Sequence, residues 1–152
     1  MTLLTLHRGL RQLLAAMLVI GAAAGSVTSL ADSGAAPTMR LLVANQEGAT
    51  LSLVDIDALR ELAVVPTAKG PAAMVHAADL GMIFVSHPEL GKVTAFDDTS
   101  LRLANTLVVP GTPFGMAIDG LHRLWVTDWN SDHVSVIDAS TLKNFQCVDL
   151  TG

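Results

Sequence analysis

The sequence has few aromatic and charged residues and a single cysteine. Aromatic residues make up 4% of the 152 positions, with no tyrosine, and charged residues make up 15%. One cysteine cannot form an internal disulfide, which excludes a small disulfide-framed domain. Cys147 lies in an apolar stretch, so we expect a buried and inert thiol.

Basic runs and the common catalytic signatures are also missing. The formal net charge is −5. Without a basic patch to neutralise phosphates, nucleic acid is not an expected partner. There is no G-x-S-x-G elbow, no phosphate-binding loop and no Cys-x-x-Cys-His haem attachment, so no catalytic residue is predicted.

The N-terminal segment 1–31 has the layout of a secretory signal. Arg8 and Arg11 precede an apolar run at 13–25, and the small residues at 29–31 follow it. The run is shorter than the roughly 20 apolar residues that a spanning helix needs. We therefore predict a helical signal peptide over 1–31, a linker over 32–38, and a periplasmic or secreted protein with no stable membrane span after cleavage. The exported part would carry seven Lys and Arg against fourteen Asp and Glu, a net charge of −7.

One ten-residue pattern occurs three times after this segment. It reads LSLVDIDALR at 51–60, VTAFDDTSLR at 93–102 and VSVIDASTLK at 134–143, so the three copies are almost evenly spaced. A period of about 40–45 residues is typical of four-stranded propeller blades or of paired helices. Short runs of Val, Leu, Ile and Thr broken by Gly, Pro, Asn and Asp favour the blades.

The periods predict an all-β fold of about three four-stranded antiparallel blades over 39–152. The first period offers only three strands and lacks its inner one. The predicted strands are 39–45, 51–55 and 61–66; 72–78, 82–86, 92–97 and 103–109; and 114–118, 123–127, 134–138 and 145–150.

The aspartate of each repeat ends a strand, where its carboxylate can accept hydrogen bonds from the backbone of the turn. We therefore predict a structural role in turns for Asp55, Asp97 and Asp138. The leucine that follows each of them, at the ninth position of the pattern, is expected to re-enter the core.

The repeat resembles the YVTN family of β-propeller repeats. The resemblance rests on these three copies, on LWVTDWNSDHVSVID at 124–138 and on the P-x-G-M-A-I-D pattern that ends at Asp119. It implies an exported bacterial propeller, often of seven blades, with relatives that include the haem-binding propeller of periplasmic nitrite reductase and quinoprotein-linked subunits. The motif indicates the fold and says almost nothing about function.

Three periods are too few for a closed propeller, because closure takes four to eight blades. Either the sequence is a shortened form of a longer protein, or two copies associate to complete a ring of six blades.

Candidate binding residues come from one predicted face. Loops between the second and third strands share a face with the connectors between blades, and loops on a rigid scaffold are where binding usually takes place. The residues singled out as ligand-binding candidates are Asn45, His87, Glu89, Asp128, Trp129, Asn130 and His133.

Three of these candidates occupy equivalent positions at 45, 87 and 128. They could converge on a cation, but ordinary turn capping is the simpler interpretation and no metal site is predicted. His76 and Trp125 are expected in the core, whereas Trp129 lies in a polar loop where it could stack on a ligand or fold back over the sheet edge.

The expected function is an exported scaffold that binds a protein or a small-molecule ligand on this face. The alternatives are a fragment of a metal-dependent lactonase or lyase, and a haem- or quinoprotein-associated redox subunit. Neither the ligand nor a cofactor is predicted from the sequence.

Overall fold

The computed structural model describes residues 16–20 and 39–150, which form three four-stranded sheets. The first sheet contains β1 (Ala16–Ile20), β2 (Arg40–Asn45), β3 (Thr50–Asp55) and β4 (Arg60–Pro66). The second contains β5 (Met74–Ala77), β6 (Met82–His87), β7 (Lys92–Asp97) and β8 (Leu103–Val108). The third contains β9 (Pro113–Ile118), β10 (Arg123–Asp128), β11 (His133–Asp138) and β12 (Lys143–Asp149).

Every sheet is an antiparallel meander whose strands are ordered as in the chain. The register slips near the end of the third strand in all three sheets, between Leu53 and Val54, Ala95 and Phe96, and Ile137 and Asp138. Such bulges bend a strand and increase its twist. The all-β antiparallel prediction is confirmed, and helical structure in the described residues after 39 is limited to the 3₁₀ turns Ala78–Leu80 and Pro88–Leu90.

The first sheet has four strands rather than the predicted three. Ala16–Ile20 pairs antiparallel with Arg40–Asn45 and so covers an edge of β2 that would otherwise leave backbone groups unpaired. This segment lies inside the predicted helical signal peptide, and it forms a strand. The rest of the predicted signal peptide, and the predicted linker, lie outside the described residues.

Two apolar clusters join the sheets. The first junction, between the first and second sheets, buries Leu42, Leu51, Ile83 and Phe96. The second junction, between the second and third sheets, has a larger cluster that includes Phe84, Val93, Leu124, Val126 and Ile137. Since successive strand residues point to opposite faces, the second sheet is apolar on both of its faces.

The repeated aspartates form the predicted turn bonds. Asp55 Oδ1 accepts from Ala58 N at 2.9 Å, Asp97 Oδ1 from Ser100 N at 2.7 Å, and Asp138 Oδ1 from Ser140 N at 2.9 Å. The leucine that follows each of them adopts a left-handed backbone conformation, with φ of 51° at Leu59, 54° at Leu101 and 55° at Leu142. The shared turn therefore has a shared backbone geometry.

Three core predictions need correction. Leu59 is 84% exposed, because no described sheet covers the side of the first sheet that it faces. Cys147 is exposed, because its position on the outermost strand is exposed in every sheet, as Val64 and Thr106 also are. Trp125 is only half-buried, because it points away from the second sheet, whereas its equivalent Phe84 is covered by the third sheet.

Among the described residues, no helix has the length and apolar character needed to cross a membrane.

Candidate functional site

The loop face consists of the loops at 46–49, 88–91 and 129–132 together with the connectors at 67–73 and 109–112. Backbone hydrogen bonds join connectors to loops: Thr67 N donates to Ala49 O, Val109 N to Gly91 O, and Trp129 N to Thr112 O, each at 2.9 Å. The connectors therefore lie beside the loops between second and third strands, as strand parity predicts.

A surface ion pair crosses part of this face. Lys69 Nζ of a connector lies 3.3 Å from Glu89 Oε2 of the second sheet, and both side chains are exposed. An exposed pair of this kind contributes little to stability. Glu89 is therefore available at the surface, with a cation beside it.

The strand-end residues at 45 and 87 do not reach towards a common ligand. Each bonds the hydroxyl of the neighbouring third strand: Asn45 Nδ2 donates to Ser52 Oγ at 2.8 Å, and His87 Nε2 lies 2.9 Å from Thr94 Oγ1. The same polar pair thus recurs in the first two sheets, which makes it part of each sheet's own framework.

His87 is fully buried, so its ring is not part of the exposed loop face, and its role in ligand binding stays a prediction. Its Nδ1 lies 3.2 Å from Lys69 O, a distance that suits donation to that carbonyl. Burial lowers the pKa of His87 below its ordinary value, although the Lys69 carbonyl opposes the shift. The imidazole is therefore neutral and holds the connector against the second sheet.

Asp128 departs from this pattern. Its Oδ1 accepts from Thr112 N at 3.1 Å and from Asn130 N at 2.9 Å, and no hydrogen bond joins it to Ser135 among the described residues. The bond from Asn130 N is the largest cause that holds the pKa of Asp128 below its usual range. Asp128 therefore stays ionised and fixes the loop to the connector before it.

An exposed aromatic pair stands beside this loop. Trp129 is 66% exposed and its ring centroid lies 4.4 Å from that of Phe114, with 52° between the ring planes. Asn130 Nδ2 donates to Thr112 Oγ1 at 3.0 Å and so holds the loop in place. Trp129 thus presents an aromatic surface to solvent from a loop that is anchored on both sides.

His133 completes the polar residues at this end of the third sheet. Its Nδ1 lies 3.1 Å from Ser131 Oγ, and its Nε2 lies 3.8 Å from Asp149 Oδ2. The structure therefore gathers Asp128, Trp129, Asn130 and His133 at one end of the third sheet. Asn45, His87 and Glu89 belong to the other two sheets.

Within the described ranges, no set of three or more His, Cys, Asp or Glu side chains is arranged to hold a metal ion.

The opposite face carries contacts that sequence reasoning missed. His76 Nε2 lies 2.9 Å from Asp98 Oδ2, and His122 Nε2 of the third sheet lies 3.2 Å from Asp79 Oδ2 of the second. These partners are 22 and 43 residues apart. His76 lies on β5 and Asp98 follows β7, whereas Asp79 and His122 lie in equivalent loops of neighbouring sheets, so only an alignment of the repeats could have indicated these pairings.

Asp119 organises a second group on that opposite face. It accepts from Trp125 Nε1 at 3.0 Å and from Arg123 Nε at 2.7 Å. The Trp125 bond is the main reason that the pKa of Asp119 lies far below its usual range. The role is to orient Trp125, whose ring also lies under the Arg123 guanidinium.

No family model matches the sequence, and no curated protein matches it. Solved structures do share its fold. Hydrazine synthase of Kuenenia stuttgartiensis superposes with a TM-score of 0.69 at 19% identity, over 74% of this chain and 33% of that one. The RRP9 WD40 repeats superpose with a TM-score of 0.62 at 14% identity, over 72% of this chain and 35% of that one. Virginiamycin B lyase from Staphylococcus aureus superposes with a TM-score of 0.64 at 11% identity, over 77% and 40%.

These similarities support a β-propeller fold. At such low identity they carry the fold alone. The chain spans between 33% and 40% of the length of these structures.

Proposed function

We propose that the chain is a β-propeller repeat module of YVTN type that binds a protein or small-molecule ligand on its loop face. The observation that carries the proposal is the exposed Trp129 on Phe114. Tryptophan is among the residues that contribute most to binding surfaces, because it offers a large rigid contact area at little cost in conformational entropy. The ordered loop around it reduces that cost further.

The environment of Trp129 suits recognition. Its loop is anchored through Asp128 to Thr112 N and through Asn130 to Thr112 Oγ1. Asp128 and Glu89 give the face negative charge, and Lys69 places a cation beside Glu89. A ligand or partner with an apolar group for Trp129 and hydrogen-bonding groups around it fits this surface.

Affinity capture from an extract of the source cells tests this proposal. We expect Trp129→Ala to lose a captured species that the wild-type protein retains. Asn130→Ala should weaken its capture, because it frees the loop. Val108→Ala serves as the control, since Val108 is also exposed, at 68%, but lies on the outer strand β8. Identical capture by all four proteins contradicts the proposal.

Export is part of the proposal, with residues 1–31 as the signal peptide and the periplasm or the medium as the location. The layout of basic residues, apolar run and small residues supports it. We also propose that the sequence is one part of a larger propeller, either through further repeats of a longer protein or through association of copies.

The enzyme and redox alternatives make different demands. A metal-dependent lactonase or lyase needs carboxylate or imidazole groups that converge from several sheets. A redox subunit needs a cofactor ligand or a partner chain that supplies one. In the described residues, the equivalent side chains of Asn45 and His87 each bond within their own sheet or its connector, so the binding scaffold remains the favoured function.

A further inference from the structure

The repeat allows the burial of equivalent positions to be compared between sheets. Leu101 is 7% exposed and packs in the first junction, and Leu142 packs on the cluster of the second junction. Both therefore face the sheet that precedes their own. Leu59 holds the same position in the first sheet and is 84% exposed. It points to the flank before the first sheet, which no described sheet covers.

The other flank shows the reverse situation. Leu80 of the second sheet packs on the cluster of the second junction, and it therefore faces the sheet that follows. Leu121, one repeat further along the chain, holds the same position in the third sheet and is 73% exposed. Leu59 and Leu121 are the two most exposed large apolar residues in the described part of the chain.

Strand residues on these flanks are apolar too. On the third sheet Trp125 and Val134 point outward, and their equivalents Phe84 and Val93 are buried in the second junction. On the first sheet Leu41 and Val54 point outward; Ile83 and Phe96, their equivalents, are buried in the first junction. An antiparallel sheet face that is meant for water carries polar residues instead.

We propose that the flank after the third sheet of one copy packs on the flank before the first sheet of a second copy. The contact repeats the second junction, with Leu121 in the place of Leu80 and Leu59 in the place of Leu142. A second copy fits because it carries both halves of a contact that the chain already makes within itself. Two copies related by a two-fold axis make this contact twice and close a ring of six sheets, within the range of known propellers.

Light scattering after size-exclusion chromatography tests the contact. We expect the wild-type protein to form a dimer. Leu59→Glu and Leu121→Glu should each raise the dissociation constant at least about tenfold, because each places a charge in both junctions. Circular dichroism should show that both variants keep the strand content of the wild type, since both side chains are exposed within one copy.

A mixture of the two variants gives the sharper test. In a mixed pair, one junction carries both substitutions and the other carries neither. The mixture should therefore form dimers under conditions in which each variant alone is monomeric. Val108→Glu is the matched control, because Val108 is exposed and its equivalents Pro66 and Asp149 are also exposed. It should leave the dimer unchanged.

Several outcomes overturn the proposal. A wild-type monomer, a dimer that survives either substitution, or a mixture that stays monomeric each rules out the head-to-tail contact. The native protein purified from the source could instead have a chain mass well above that of these 152 residues. If neither substitution changes the oligomeric state of that longer chain, the two flanks belong to contacts with its further repeats.

Discussion

Gly111 shows how one residue permits the unusual position of Asp128. Its φ of 82° lies in the region that favours glycine, and a Cβ at this position would collide with the Asp128 carboxylate. Asp128 can accept the hydrogen bond from Thr112 N because Gly111, the residue before Thr112, has no side chain. The connector and the loop of the third sheet are therefore joined by a hydrogen bond that a side chain at position 111 would obstruct.

A series of alanine substitutions tests this explanation. Gly111→Ala should lower the free energy of unfolding by about 3 kcal/mol, from backbone strain together with the hydrogen bonds from Thr112 N and Asn130 N that the displaced Asp128 carboxylate would lose. Gly70→Ala should cost about 1 kcal/mol, because its φ of 63° is strained but its Cβ would meet Glu89 at an ordinary 3.6 Å. Gly120→Ala should change stability by less than about 0.5 kcal/mol, because nothing lies within 4 Å. Denaturant unfolding measures all three, and equal losses at Gly70 and Gly111 would exclude the collision.

At the scale of the element, the second strand of each of the first two sheets is tied to the third by a side-chain pair. Asn45 and Ser52 form it in the first sheet, and His87 and Thr94 form it in the second. The histidine also reaches the Lys69 carbonyl, so it links the second sheet to the connector before it. A buried neutral imidazole in this position makes the sheet sensitive to pH.

The pH dependence of stability tests the role of His87. Burial lowers its folded-state pKa below the ordinary 6.5, so between that lowered value and 6.5 the unfolded chain binds more protons than the folded one. The stabilisation is complete above pH 6.5 and declines as the pH falls below it. His87→Asn, which copies the pair in the first sheet, should lose this part of the slope at a cost of about 1–2 kcal/mol at pH 7.5. Parallel stability curves from pH 7.5 to 5.5 for the two proteins would contradict the assignment.

For the molecule as a whole, the apolar run near the N-terminus has two incompatible roles. Ala16–Ile20 pairs with β2 as the fourth strand of the first sheet. The same run is the apolar core of the proposed signal peptide. Cleavage after Ala31 removes the strand and frees an edge of β2, which a strand from another source could then pair with.

Mass spectrometry of the protein recovered from outside the cytoplasm separates these roles. If export proceeds as proposed, the chain begins at Asp32 and the first sheet keeps only β2, β3 and β4. Some amides of Arg40–Asn45 then lose their partners in β1. These amides should exchange hydrogen faster in the cleaved chain than in the uncleaved chain. A chain outside the cytoplasm that begins at Met1, with those amides protected, contradicts cleavage and retains the four-stranded sheet.

The sequence by itself determined the period, the strands and the turns, because each depends on contacts between near neighbours in the chain. Alternation along β11 and the reach of Asp138 to the backbone amides of Ser140 and Thr141 are properties of short segments. The tertiary structure decided which side chains are covered, since a repeated position is buried only where another sheet lies against it. For this reason Leu59 and Leu101 share a turn and differ in burial. His87 bonds Thr94 as well as a connector, whereas among the described residues no hydrogen bond joins Asp128 to the equivalent Ser135. The fourth strand of the first sheet, from a segment that the sequence assigned to export, likewise follows from long-range backbone pairing.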